Sequence, residues 1–343
     1  MVGYELSSED KKLLKKLKRK FQNNITHTAR EFCKQKELEY TDSSRRKVSA
    51  FFTKRKSVKD EVLTPQEESE YLLAKGRVLK KSKIYLFTWE QNKTPLHDGL
   101  WKNLLAYKEF HNAELSVILG RYKNPTSHFV DKEYESWNKE TLPYRDANRH
   151  NIHKYVTVLS DVKIQPTAIN PLSGLEGMTG ETTTIVGSPK LHLKPVPVLE
   201  GHPKKLLVTT GAITIPNYVD SKAGKKGEFT HKMGFTIIEI KDGETFFIRQ
   251  VEADENGDFI DLFYEVKDGI VGKLNNIEAI VLGDLHAPNY KNENIDLVDE
   301  LVAKLKPKQL VLHDLIDGES VNNHILKNPV AQHQRMITGN DDV

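Results

Sequence analysis

Apolar positions recur at helical spacing along the N-terminal stretch. In SSEDKKLLKKLKRKF, Leu13, Leu14, Leu17 and Phe21 fall on one side of a helix otherwise covered by lysine and arginine, with serines and acidic residues suited to its first turn. THTAREFCKQKE and TDSSRRKVSAFFTKR read as two further short helices, with caps at Thr26 or Thr28 and at Asp42 or Ser43, and with Phe32, Val48, Phe51 and Phe52 for a shared core. The texture changes at residue 83. KIYLFTW, ELSVILGRY, KYVTVLSDV, KKLLVTTGA, GFTIIEI and TFFIRQVEA are apolar runs of strand length between turn-rich connections, and one helical segment, DGLWKNLLAYKEFHN, separates the first two. Towards the C-terminus, NIEAIVLGD and KQLVLHD fit strands buried on both faces. Between them, NENIDLVDELVAKLKP keeps Ile295, Val298, Leu301, Val302 and Leu305 at helical spacing.

These patterns predict an α/β chain. A helix-turn-helix-like module spans residues 1–60, a linker 61–82, a central α/β domain 83–272, and the start of a β-α-β sheet 273–343. A length of 343 residues is too great for one comfortable core, which agrees with several domains.

Charge sharpens the first of these. The chain carries a net +3, yet residues 1–60 hold 17 Lys and Arg against 8 Asp and Glu, a local +9 that leaves −6 on the remainder. In a helix-turn-helix module the last helix enters the major groove, so Ser44, Arg45, Arg46 and Lys47 would face DNA while Lys54, Arg55 and Lys56 reach phosphates. The bland alternative is a solvated or partner-binding basic bundle. A second basic stretch, DSKAGKKGEFTHK, reads as a solvated hairpin or connection, or as a contact to a nucleic-acid backbone through Lys222, Lys225, Lys226 and His231. The single cysteine, Cys33, excludes an internal disulfide framework. No apolar run approaches the ~20 residues of a membrane helix and no apolar leader opens the chain, so a cytoplasmic location is expected.

The chemistry concentrates in AIVLGDLHAP and LVLHDLID. Asp284 and His286 stand two apart at the end of one apolar run, and Asp314 ends the next, 30 residues on. In a β-α-β unit that separation brings both carboxylates to the C-terminal edge of neighbouring parallel strands, where open α/β sheets bind ligands. Oxygen and imidazole donors so placed suit divalent manganese, iron or zinc. A pair of such ions ~3.5–4 Å apart activates water for in-line attack on phosphorus, so the expected reaction is phosphoester hydrolysis.

GDLH, followed by a helix and HDLID, resembles the first two motifs of the calcineurin-like metallophosphoesterases, Gly-Asp-x-His and Gly-Asp-x-x-Asp. From residue 83 onward, with RYKNPTS, QPTAINPLSG and HDLIDGESVNNH, the chain is similar to phosphoesterase-like proteins of tailed bacteriophages, some implicated in DNA degradation or DNA transfer. The resemblance implies a metal-dependent nuclease with two divalent ions, Mn2+ foremost and Fe2+, Zn2+ or Mg2+ as alternatives. It makes Asp284 and His286 ligands of the first ion, Asp314 the bridging ligand, and Asp317 a support behind them. His313 stands where the family has glycine and reads as site-facing or packed, while Asn323 and His324 read as a polar helix start or as neighbours of the site. DNA in a host cytoplasm is the implied partner, and a homo-oligomer is the habit of related nucleases. The later motifs have no full counterpart: TGNDDV places Asp341 where the third motif has histidine, so 273–343 is expected to be the N-terminal part of the catalytic domain. The competing expectation is a DNA- or host-protein-binding factor whose phosphoesterase fold is incomplete and inactive.

Overall fold

A computed structural model describes residues 7–21, 25–41, 44–46, 48, 69, 72–122, 137–285, 292–315 and 328–338. The chain divides into two compact units, Met1–Glu68 and Ser69–Val343.

In the first unit, α1 (Ser8–Lys20) and α2 (Ile25–Gln35) form where the helical spacing predicts them. Ser7 and Asp10 exchange backbone-to-side-chain hydrogen bonds at the start of α1, a reciprocal cap that satisfies two otherwise orphaned donors. Leu14, Leu17, Ala29, Phe32 and Val48 are buried together, so the apolar stripe is the core of this unit. Ser44, Arg45 and Arg46 are helical, and Thr41 and Ser44 exchange backbone-to-side-chain hydrogen bonds before them; Asp42 and Ser43, the expected caps, lie outside the described residues.

The second unit begins with β1 (Ile84–Gln91), α3 (Asp98–His111), β2 (Glu114–Gly120) and β3 (Arg145–Asp146). There follow β4 (Arg149–His153), β5 (Val156–Leu159), β6 (Thr183–Val186), β7 (Leu193–Val196), β8 (Lys205–Thr209) and α4 (Lys222–Phe229). Next come β9 (Gly234–Ile240), β10 (Phe246–Glu252), β11 (Phe259–Asp261), β12 (Tyr264–Lys267) and β13 (Ile270–Lys273). The last elements are β14 (Ala279–Asp284), α5 (Asn292–Leu305), β15 (Gln309–His313) and α6 (Pro329–Thr338).

The strands form two five-stranded sheets, β10-β9-β1-β2-β3 and β4-β5-β6-β8-β7, with a three-stranded meander β11-β12-β13. Strand β1 explains the layering. Its Leu86 packs with α3 residues Leu100, Leu104 and Tyr107, while Tyr85, Phe87 and Trp89 on the opposite face pack with Val156, Val158 and Ile185 of the second sheet. Successive side chains of a strand point to opposite faces, so a run apolar at nearly every position belongs between a helix and another sheet.

Two expectations are corrected. The stretch around residues 220–232, read as a hairpin or connection, contains the helix α4, capped by the Ser221 hydroxyl on Gly224 N–H. Strands β14 and β15, read as buried on both faces, are largely open: Val281, Leu310, Val311 and Leu312 are all exposed. An apolar run states what a strand can bury, but a two-stranded pair and its crossover helix supply cover to only part of it.

Candidate metal centre

Strands β14 and β15 are parallel neighbours joined through α5, as the spacing of their motifs predicts. Pairing runs Ala279 with Gln309, Ile280 with Leu310 and Val281 with Val311, then shifts so that Asp284 lies opposite His313. The β14 side holds one residue more than the β15 side across this step, the signature of a bulge. An unbroken register would have set Asp284 against Asp314. Leu285 N–H closes the strand end by donating to the carbonyl oxygens of both His313, at 3.2 Å, and Asp314, at 3.1 Å. Asp314 itself has φ +39°, in the left-handed region that an L-residue enters at a cost of about 1–2 kcal/mol.

These backbone features bring three donors together. The ligand atoms of Asp284, His313 and Asp314 all lie within 4.8 Å of one another. His313 Nδ1 is 2.9 Å from Asp284 Oδ1 and 3.8 Å from Asp314 Oδ2. The hydrogen bond to Asp284, then the charges of Asp314 and Asp284, raise the His313 pKa above its ordinary value. Two carboxylates thus favour the protonated imidazole. A divalent cation would answer the same field, and the two-oxygen, one-nitrogen donor set suits Mn2+, Fe2+ or Zn2+. The residues therefore fit the ion that the sequence implies. The side chains of Asp284, His313 and Asp314 are 52%, 65% and 60% exposed, so the cluster is open to a large substrate.

Asp284 and Asp314 meet as their spacing suggests. His313 joins them; its place immediately before Asp314 at a strand end was the available signal, but the bulge that turns it towards Asp284 has no mark in the sequence. His286, Asp317, Asn323 and His324 lie outside the described residues.

In the N-terminal unit, Ser44 is fully buried. Its hydroxyl accepts from Thr41 N–H at 2.7 Å and donates to the Thr41 carbonyl at 2.6 Å, so it closes the helix start rather than presenting a group to DNA. Arg45 and Arg46 are exposed, while Lys47, Lys54, Arg55 and Lys56 lie outside the described residues. No helix among the described residues is long and apolar enough to cross a membrane.

No protein-family model matches the chain. It is similar to Protein A1 of Escherichia phage T5, with 29% identity over 284 residues covering 77% of this chain and 50% of that protein. The chain therefore spans half the length of the curated relative it matches. Among solved structures, Vps29 of Chaetomium thermophilum aligns with 52% of this chain and 94% of its own, at 11% identity and a TM-score of 0.25, too low to bear on the fold.

Proposed function

We propose that this chain carries part of a metal-dependent phosphodiesterase that acts on DNA in phage infection. The carrying observation is the meeting of Asp284, His313 and Asp314 at the C-terminal edge of a parallel strand pair. The motif resemblance and the similarity to a phage protein support the same reading.

In this reading Asp284, Asp314 and His313 would hold divalent ions, with His286, two residues beyond Asp284 in the sequence, as a further ligand. Bound there, the ions supply Lewis acidity and an activated water for attack on the phosphodiester. The protein's own part is placement. The Leu285 bonds to both carbonyls of the facing strand fix the chain on either side of the two carboxylates. His313 Nδ1 would have to be unprotonated to act as a donor, so ion binding there would tighten as pH rises. The openness of the cluster suits a polymer that must reach it from solvent.

The test joins two readouts. Titration with Mn2+, followed by electron paramagnetic resonance, should show tight ions on the wild type and a loss of at least tenfold in affinity for Asp284→Ala. Incubation with DNA and Mn2+ should give cleavage that this substitution abolishes. Cleavage that survives Asp284→Ala, or no Mn2+ binding by the wild type, would sink the proposal.

A second reading is a DNA- or host-protein-binding factor whose phosphoesterase part is structural. Salt-sensitive DNA binding without hydrolysis at any Mn2+ concentration would select it.

A further inference from the structure

Helix α4 is poorly favoured by its own sequence, because Gly224 and Gly227 lie inside its eight residues and each costs about 1 kcal/mol relative to alanine. Both glycines are buried, and the packing explains them. A Cβ at 224 would collide with the Val219 carbonyl oxygen, and one at 227 would stand 2.9 Å from the Tyr218 ring. The glycines let the helix lie directly against the backbone beneath it.

That contact fixes what faces outward. Lys222, Lys225, Lys226 and Phe229 follow the i, i+3, i+4, i+7 spacing of a single helix face, and all four are exposed. Phe229 is 88% exposed, and Ile169 beside it is 68% exposed. These five residues border a groove of about 410 Å³ whose floor includes Lys190. Lys190 is itself buried, with Nζ donating to the Ala168 carbonyl, so its charge sits beneath the groove and not in solvent. Lys225 pairs with Glu228 at 3.2 Å; Lys222 and Lys226 have no ion-pair partner among the described residues. His231, expected from the sequence to join this contact, is instead buried, bonded to Tyr218 and to the Thr214 carbonyl.

An exposed cationic face with a bare aromatic ring at its end is the arrangement that grips a flexible polyanion carrying planar bases: cations track the phosphates and the ring stacks on a base. The geometry points to the Lys222-Lys225-Lys226-Phe229 face of α4 as a binding site for single-stranded nucleic acid. The assignment rests on the DNA-directed reading above, and it adds a second place where the strand is held, built by residues outside the metal centre.

The experiment uses the full chain in EDTA, so that no cleavage is needed, with a fluorescent single-stranded oligonucleotide and its duplex. Lys222→Gln/Lys225→Gln/Lys226→Gln should weaken single-strand binding at least tenfold and lower the slope of log affinity against log salt by about 2, at about 0.7 per phosphate contact. Phe229→Ala should weaken single-strand binding roughly fivefold or more and leave the duplex nearly unchanged. The triple arginine variant should retain binding, and circular dichroism should match the wild type throughout.

Unchanged affinity and salt slope in the glutamine variant overturn the inference, as does equal loss on single strand and duplex in Phe229→Ala. So does wild-type protein that binds phosphatidylserine vesicles but no oligonucleotide. Failure of the nuclease reading looks different: no Mn2+-dependent cleavage, while the α4 variants still lose oligonucleotide binding.

Discussion

Asp284 and His313 face each other across the β14-β15 pair, Oδ1 to Nδ1 at 2.9 Å, because a bulge advances β14 by one residue at the strand end. The pairing makes His313 part of the donor group rather than a neighbour of it. His313→Gln is therefore expected to weaken Mn2+ binding at least tenfold while leaving the unfolding midpoint unchanged, since the ring is exposed. Isothermal titration with Mn2+ and urea denaturation measure the two; unaltered Mn2+ affinity would return His313 to a bystander.

His231 should make stability depend on pH. It is buried, with Nε2 2.8 Å from the Thr214 carbonyl and Nδ1 2.8 Å from the Tyr218 hydroxyl, and both bonds are satisfied by a neutral ring. Burial lowers its pKa from 6.5 to about 4. The unfolded chain then binds more protons than the folded one between these values, so stability is full above about 6.5 and falls as pH drops towards 4. The loss is roughly 3 kcal/mol. Urea unfolding across this range should show the fall in the wild type and a shallower one in His231→Gln.

Asp261 ties the meander to the first sheet. Its carboxylate accepts from Tyr107 at 2.6 Å and from Arg249 at 2.7 and 3.1 Å, and only 4% of its side chain is exposed. Removing it leaves Arg249 with Glu239 as its remaining ion-pair partner, at 2.8 Å, and takes the acceptor from Tyr107, so Asp261→Ala is expected to destabilise by about 1–3 kcal/mol. Asp261→Asn, which keeps one acceptor, should cost less. Guanidinium denaturation of the two variants orders them.

Cys33 reports on the N-terminal unit. The chain's only thiol is 1% exposed, within the helical core that Leu14 and Phe32 complete. Ellman's reagent should react slowly with the native protein and quickly in urea. Phe32→Ala, expected to cost about 3–5 kcal/mol, should speed native labelling severalfold. Immediate reaction of the wild type would contradict the buried core.

Much of this was legible. Leu13, Leu14 and Leu17 announce α1 because a helix turns about every 3.6 residues, and the alternation of two apolar runs with one helical stretch announces the β-α-β unit that joins Asp284 to Asp314. Helix α4 was not legible, because Gly224 and Gly227 argue against a helix until the backbone they press against is known. Nor was the buried state of His231 and Ser44, since a polar side chain reads as exposed unless its bonding partners are seen.

The sequence by itself determined the local elements, the basic N-terminal unit and the two carboxylates at successive strand ends, all properties carried by neighbours a few residues apart. Tertiary structure decided the pairing of β1 with β9, the close seat of α4, and the bulge that sets His313 rather than Asp314 opposite Asp284. Each depends on contacts between distant segments, and a periodic pattern fixes which face a residue occupies without fixing what that face will meet.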